Sequence, residues 1–178
     1  MIKGETIFLR PFTIGDAGAL HELQNENRDF FEQFAEERNT DFYTMEAHLK
    51  RIIRYEEDSK NDLSYNFGIF TNDGVLVGSI SLFQVLRGSL QSAFIGYFLD
   101  EKHNGKGYTT EAAKLIVEYA FNELKLHRIE AGVMPHNLAS IRVLEKSGFH
   151  KEGLALKNVK INGKWEDHQV LAILNPND

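Results

Sequence analysis

The sequence predicts an α+β fold: a mixed, mostly antiparallel sheet flanked by helices, with one parallel strand pair. Three observations carry that reading. From Tyr65 to Leu99 apolar residues recur in strand-like runs broken by the turn formers Asn72-Asp73-Gly74 and Arg87-Gly88-Ser89, the pattern of three consecutive antiparallel strands. On either side the period becomes helical, at Met45–Ile53 and again at Ala113–Leu124. A glycine-rich stretch then carries the chain from strand to helix, and a further strand follows at His127–Val133. An ordinary crossover leaves that strand parallel to Ala93–Leu99.

Taken in order, Glu5–Phe12 alternates as a strand and Pro11 closes it. Thr13–Asp16 opens a short helix whose inner face carries Leu20 and Leu23. An aromatic cluster follows, Phe30, Phe31, Phe34, Phe42 and Tyr43. It suits the core of a helical lobe or the wall of a substrate pocket. Thr44 caps a helix with the stripe Met45, Leu49, Ile52 and Ile53. Tyr65–Phe70 and Val75–Val85 are the next strands, then Ala93–Leu99. A helix is expected over Thr110–Leu124, capped by Thr109 or Thr110, with Ala113, Ile116, Val117, Ala120 and Leu124 inside. After the parallel strand, Asn137 caps a helix over Leu138–Ser147 that stops at Gly148. A hairpin around Asn162-Gly163 closes the chain.

The stretch His103-Asn104-Gly105-Lys106-Gly107-Tyr108 is where chemistry is first expected. Two glycines allow positive φ and let a ligand approach the main chain. Free N–H groups at the mouth of a helix, reinforced by its dipole, make an anion site suited to phosphate. A dinucleotide fingerprint fits poorly. Asp100–Asn104 separates the strand from Gly105, and Thr110 stands where a third glycine belongs.

Composition narrows the classes. A chain of 178 residues suits one domain spanning 1–178, long enough to bury roughly 70% of its unfolded surface. With no cysteine there is no disulfide frame, thiolate metal site or thiol nucleophile. The histidines lack metal-ligand spacing, so no metal is expected. No apolar run spans a bilayer and the N-terminus lacks a signal-peptide core, so a soluble cytoplasmic protein is expected. A net charge of −6 argues against non-specific nucleic-acid binding. The charge is uneven: Asp16–Asp62 holds 13 acidic and 6 basic residues, Lys102–Lys164 holds 6 acidic and 11 basic. The basic half contains the glycine loop, as a polyphosphate ligand requires, and the acidic half suits a cationic partner.

The order of elements and two local motifs resemble the GNAT superfamily of acyl-CoA N-acyltransferases. Asn104-Gly105-Lys106-Gly107-Tyr108-Thr109 is similar to the family's Q/R-x-x-G-x-G/A loop, with Asn104 and Thr109 departing from it. Neither departure removes a main-chain donor. Asn137 through Phe149, NLASIRVLEKSGF, resembles the N-x-x-S-x-x-x-L-E-K-x-G-F signature of the RimJ/RimL branch, which acetylates N-terminal amines of ribosomal proteins. Leu9-Arg10-Pro11, Ile95-Gly96-Tyr97 and the closing hairpin with Asp167 also resemble that branch.

The resemblance implies the GNAT fold, with the parallel pair split around acetyl-CoA. It implies that the main chain of Tyr97, Phe98 and Leu99 pairs with the pantetheine arm. The N–H groups of Gly105, Lys106, Gly107, Tyr108, Thr109 and Thr110 would hold the pyrophosphate, and Asn137 would bond the arm. The acceptor it implies is an amine, most directly a ribosomal protein N-terminus; a polyamine, an antibiotic amine or a non-catalytic acyl-CoA-binding module are the alternatives. Monomer and homodimer are both open on this reading.

Amine acetylation needs a neutral amine, donors for the oxyanion and a proton for the leaving thiolate. Leu144 occupies the place of the family's usual tyrosine acid and cannot donate. Ser140, one turn earlier on the same face, is the expected acid. Glu130, on the short strand lining the split, is the expected base, with Tyr65 through water as the alternative. His168 beside Asp167 reads as hairpin structure, and Asp167 is placed near the acceptor.

Overall fold

The computed structural model describes residues 1–178. Its strands are β1 (Ile2–Lys3), β2 (Ile7–Pro11), β3 (Tyr65–Thr71), β4 (Leu76–Leu86), β5 (Ser92–Leu99), β6 (Arg128–Val133), β7 (His150–Ile161) and β8 (Lys164–Leu174). They form one sheet in the order β1-β2-β3-β4-β5-β6-β8-β7, antiparallel throughout except between β5 and β6. Its helices are α1 (Ala17–Glu26), α2 (Arg28–Glu32), α3 (Met45–Lys60), α4 (Tyr108–Asn122) and α5 (Leu138–Lys146).

Local chemistry accounts for the connections. Asn162 and Gly163, with φ of 47° and 82°, give the paired positive values that match the twist of a two-residue hairpin. Gly148, at φ 98°, ends α5 as a left-handed residue past the cap. The core is one cluster running from Ile7 and Leu9 through Ile69, Ile80 and Leu82 to Ile116, Ile129, Leu144 and Leu171. Alanines 112, 113 and 120 on α4 are fully buried, so the helix lies close against the sheet.

Three expectations change. The N-terminal strand is shorter than Glu5–Phe12 and gains a two-residue partner, β1, that paired backbone rather than periodicity defines. On α3 Thr44 does cap, accepting from Ala47 N at 3.1 Å. Leu49 and Ile52 face inward as expected, joined by His48 and Tyr55, while Met45 and Ile53 are exposed. Spacings of four and three residues from His48 keep that face together; a buried polar residue stands where the apolar count looked elsewhere. His48 Nδ1 meets Arg51 Nη1 at 2.8 Å, and burial pushes its pKa down to about 4. Finally, α4 starts at Tyr108, capped by Gly107 at φ 80° instead of by Thr109 or Thr110.

The feature that positions the site is a short pairing. Strands β5 and β6 run parallel and are registered only over Ser92, Ala93 and Phe94 against Arg128, Ile129 and Glu130. Beyond that point β5 stays with β4 as far as Leu99, whereas β6 stays with β8 as far as Val133. The sheet therefore opens between Ile95–Leu99 and Ala131–Val133. The N-termini of α4 and α5 follow the two diverging strands.

Candidate active site

Two cavities fill the opening. The first, of about 520 Å³, runs from the glycine loop past the end of β5 to α5. The second, of about 450 Å³, lies between β4, β5, β6 and the closing hairpin. Phe34, Tyr97, Asn137 and Ser140 line both, so the two spaces meet at these side chains.

The floor of the first cavity is a row of unused donors. From Gly105 to Thr110 no main-chain N–H donates within the protein; the first that does is Glu111, to Gly107 O at 3.1 Å. Gly105 and Gly107 hold φ of 81° and 80°, and a Cβ at either would meet nothing within 4 Å. Within the protein the glycines are therefore needed for conformation, since no neighbouring protein atom crowds a side chain there. Buried Asp100 sets the entry to this loop: Asn27 Nδ2 donates to it at 3.3 Å, and Asn27 Oδ1 accepts from Glu101 N at 3.0 Å. These donors, added to the N-terminal dipole of α4, suit a pyrophosphate. The row is followed by the β6-facing edge of β5 beyond Phe94, which has no strand partner. A pantetheine amide can pair there as an added strand.

Of the residues expected to bind the cofactor, Tyr97, Phe98, Leu99, Gly105, Gly107, Tyr108, Thr109, Thr110 and Asn137 all line this cavity, and Lys106 does not. The Lys106 side chain is exposed beside Tyr108 and His103. Asn137 Oδ1 accepts from Ser140 N at 3.3 Å and so caps α5, leaving its amide hydrogens available. The aromatic cluster divides. Phe30, Phe31 and Phe34 form the cavity wall, with Phe31 packed on Phe98 at 4.8 Å between centroids. Phe42 and Tyr43 belong to the helical lobe, where Arg51 lies over the Phe42 ring. Sequence reasoning missed two cations at this cavity, Arg38 and Lys146. Lys146 follows from the motif that contains it; nothing in the sequence singles out Arg38.

At the junction Tyr97 Oη and Ser140 Oγ are 2.7 Å apart. Burial pushes the Tyr97 phenol up to about 12, against the opposing effect of this hydrogen bond. The pair thus stays protonated at neutral pH and keeps a hydroxyl hydrogen between the two cavities. Ser140 sits where it was expected. Tyr97 was expected only for its main chain, yet its hydroxyl meets Ser140 here, while Leu144 is fully buried.

The expected base is elsewhere. Glu130 lines neither cavity; it accepts from Arg128 at 2.8 Å and 3.0 Å, and Arg128 is shared with Glu152. Pairing explains the miss: Glu130 lies opposite Phe94 in the last registered β5–β6 pair, short of the opening that Ala131, Gly132 and Val133 line, and Arg128 holds its carboxylate. Tyr65 donates to Asp62 at 2.5 Å and also lines neither cavity. Asp167 accepts from Lys157 N at 2.8 Å within the hairpin. His168, read as hairpin structure, does bond within the hairpin, to Asn158 and the Glu166 carbonyl, and it also lines the second cavity.

A split parallel pair, a helix-mouth donor row and a second cavity meeting it at a hydroxyl pair define an acyl transferase fold. Residues 6–150 match the Acetyltransferase (GNAT) domain, and the chain belongs to that family. It is an N-acetyltransferase, and acetyl-CoA is its acyl donor. Over its whole length the chain is 65% identical to the probable N-acetyltransferase YjcK of Bacillus subtilis, covering 99% of that protein. It is 32% identical to the [ribosomal protein uS5]-alanine N-acetyltransferase of Escherichia coli, over 90% of this chain and 84% of the relative. Among solved structures, RimJ of Mycobacterium smegmatis in complex with CoA-disulfide superposes with a TM-score of 0.92 at 28% identity, covering 96% of this chain and 83% of that one.

Proposed function

We propose that the chain acetylates the N-terminal α-amine of a protein, with acetyl-CoA in the first cavity and the amine entering through the second. The observation that carries this is the meeting of the two cavities at Tyr97 and Ser140. An acyl donor on one side and a nucleophile on the other then share one hydroxyl pair. The Gly105–Thr110 donors and the cations Arg38 and Lys146 hold phosphate, the free edge of β5 holds the arm, and the Ser140–Tyr97 pair protonates the departing sulfur. The [ribosomal protein uS5]-alanine N-acetyltransferase to which the chain is similar supports the acceptor class.

The acceptor side supports it independently. Phe34, Phe83, Phe94 and Met134 give the second cavity an apolar wall, and Glu36 is the one carboxylate lining it, exposed at its rim. Such a cavity seats a small first side chain and attracts a cationic chain. At neutral pH about a tenth or more of an α-amine is neutral, against under ~0.1% of a lysine amine. A site without a buried carboxylate base therefore favours the α-amine.

The test offers two versions of one basic peptide, one with a free N-terminus, the other N-terminally blocked but carrying its lysines. Turnover of the free peptide should be faster by about tenfold or more, following those neutral fractions. Mass spectrometry should place the acetyl group on residue one. Dominant lysine or polyamine acetylation at pH 7 would overturn the assignment.

A further inference from the structure

We infer that His168 is the base that removes the proton from the attacking amine, a role that rests on the acetyltransfer reading above.

The side chain is buried, at 5% exposure, yet it lines the second cavity. Its hydrogen bonds all run from one nitrogen. Nδ1 lies 2.9 Å from Asn158 Oδ1 and 3.0 Å from the Glu166 carbonyl oxygen. The carbonyl can only accept, so Nδ1 carries the hydrogen. That fixes the tautomer and leaves Nε2 as a lone-pair acceptor. Nε2 has no hydrogen-bond partner in the protein, and it is not sealed away: His48 Nε2 is the sole buried side-chain polar atom left unpaired. A buried imidazole with an oriented, unused basic nitrogen facing a substrate cavity is built to accept a proton.

Its surroundings leave it little competition. Gly132 brings no side chain to the cavity, and a Cβ there would lie 3.7 Å from His168 Cβ and 3.8 Å from Cδ2. The imidazole thus stands directly against the strand that borders the split. Glu130 lies short of the opening, in the last β5–β6 pair, and is paired with Arg128. Apart from Tyr97 and His168, the titratable group lining the cavity is Glu36, exposed on the loop at the rim. That loop is tied across the cavity mouth by Asn162 N donating to Ala35 O at 3.0 Å. A base works best when it titrates near the working pH, and histidine is the side chain suited to that.

The proposed step balances. The amine lone pair forms the C–N bond to the thioester carbonyl carbon, and the C=O π electrons move to oxygen. One N–H proton passes to His168 Nε2. The oxygen lone pair re-forms C=O as the C–S bond breaks, and the sulfur takes its proton from the Ser140–Tyr97 pair. The imidazolium returns a proton to that pair through solvent, so amine and thioester become amide and free thiol.

The experiment uses the full chain and whichever amine the parent acetylates fastest. The identity of that amine decides the acceptor reading, whereas the variants decide the role of His168. His168→Ala should lose about 10²-fold or more in kcat/KM for the acceptor, with acetyl-CoA affinity by calorimetry unchanged within about twofold. Added imidazoles should restore turnover, and more basic ones should restore more. His168→Gln keeps a polar side chain that cannot act as a base and covers the case in which the alanine variant fails to fold; it should show the same loss. Either folded variant retaining kcat/KM within about threefold would overturn the inference. So would a loss in folded His168→Ala that no imidazole restores, which would make His168 structural.

Discussion

The two cavities that meet at Tyr97 and Ser140 are built by opposite means. The donor-side cavity is mostly main chain: six successive N–H groups and a strand edge, between side chains of the Phe30–Arg38 segment and of α5. The acceptor-side cavity is side chain, assembled from β4, β5, β6, the Phe34–Glu36 loop and the distant hairpin with Asn158 and His168. Backbone recognition tolerates substitution, because an N–H does not depend on what its residue carries. Side-chain recognition does not. The first cavity can thus keep one ligand among many relatives while the second is free to change acceptor.

The largest expected effect breaks the first cavity through its backbone. Gly107→Val places a β-branched residue at φ 80°, in the region that costs such residues of order 1–3 kcal/mol. No atom lies within 4 Å of the added Cβ, so the penalty falls on loop conformation and not on packing. Acetyl-CoA affinity should fall by about 10–100-fold in calorimetry, with the melting temperature little changed. Affinity equal to the parent's would show that the donor row is not the phosphate site.

An effect of similar size lies at the junction. Ser140→Ala and Tyr97→Phe should each lower kcat by about 10²-fold, the scale of a lost general acid. Because the two hydroxyls act as one unit 2.7 Å apart, the double variant should be little worse than the poorer single one. Acetyl-CoA affinity should hold in all three, since Asn137 still caps α5. The phenol is pushed up to about 12. The acid must be protonated to work, and a raised value keeps it so on the alkaline side. The kcat of the parent should therefore show no fall between about pH 8 and pH 10, where an ordinary tyrosine near ~10 would begin to lose its proton. Strictly multiplicative losses, or a fall in that window, would separate Tyr97 from the proton path.

This contrast also explains what the sequence could disclose. The α+β order, the Gly105–Gly107 loop, the Asn137 cap and Ser140 were legible because each rests on local signals: turn residues, period, a cap, a motif. Tyr97 was placed for its backbone, and its hydroxyl's role depends on a contact with a residue 43 positions away. Glu130 failed because the parallel pairing with β5 reaches as far as Phe94 and Glu130 and the split opens only beyond them, a limit that nothing local to β6 announces. His168 was set aside because its meaning comes from long-range pairing: β8 against β6 puts it beside Gly132, and β7 brings Asn158 to its Nδ1. Nothing at positions 166–168 carries that information.

The smallest effect tests whether charge at the acceptor mouth steers the substrate. Glu36 is exposed on the loop between the cavities. An exposed carboxylate facing a cationic chain contributes about 0.2–1 kcal/mol, or roughly 1.5–5-fold in KM. Glu36→Gln should raise KM for a basic peptide by that factor and leave kcat and acetyl-CoA affinity alone. The difference between parent and variant should shrink as salt is raised, because the Debye length falls from about 10 Å at 0.1 M to 3 Å at 1 M. A neutral peptide of the same length should show no difference at any salt. A change in kcat would mean that Glu36 reaches the reacting amine, and the apparent division of labour between a steering rim and a buried imidazole would then fail. A KM effect that persists at high salt would instead mark a direct hydrogen bond to the substrate, making Glu36 a specificity contact in the sense that the other side chains of this cavity are.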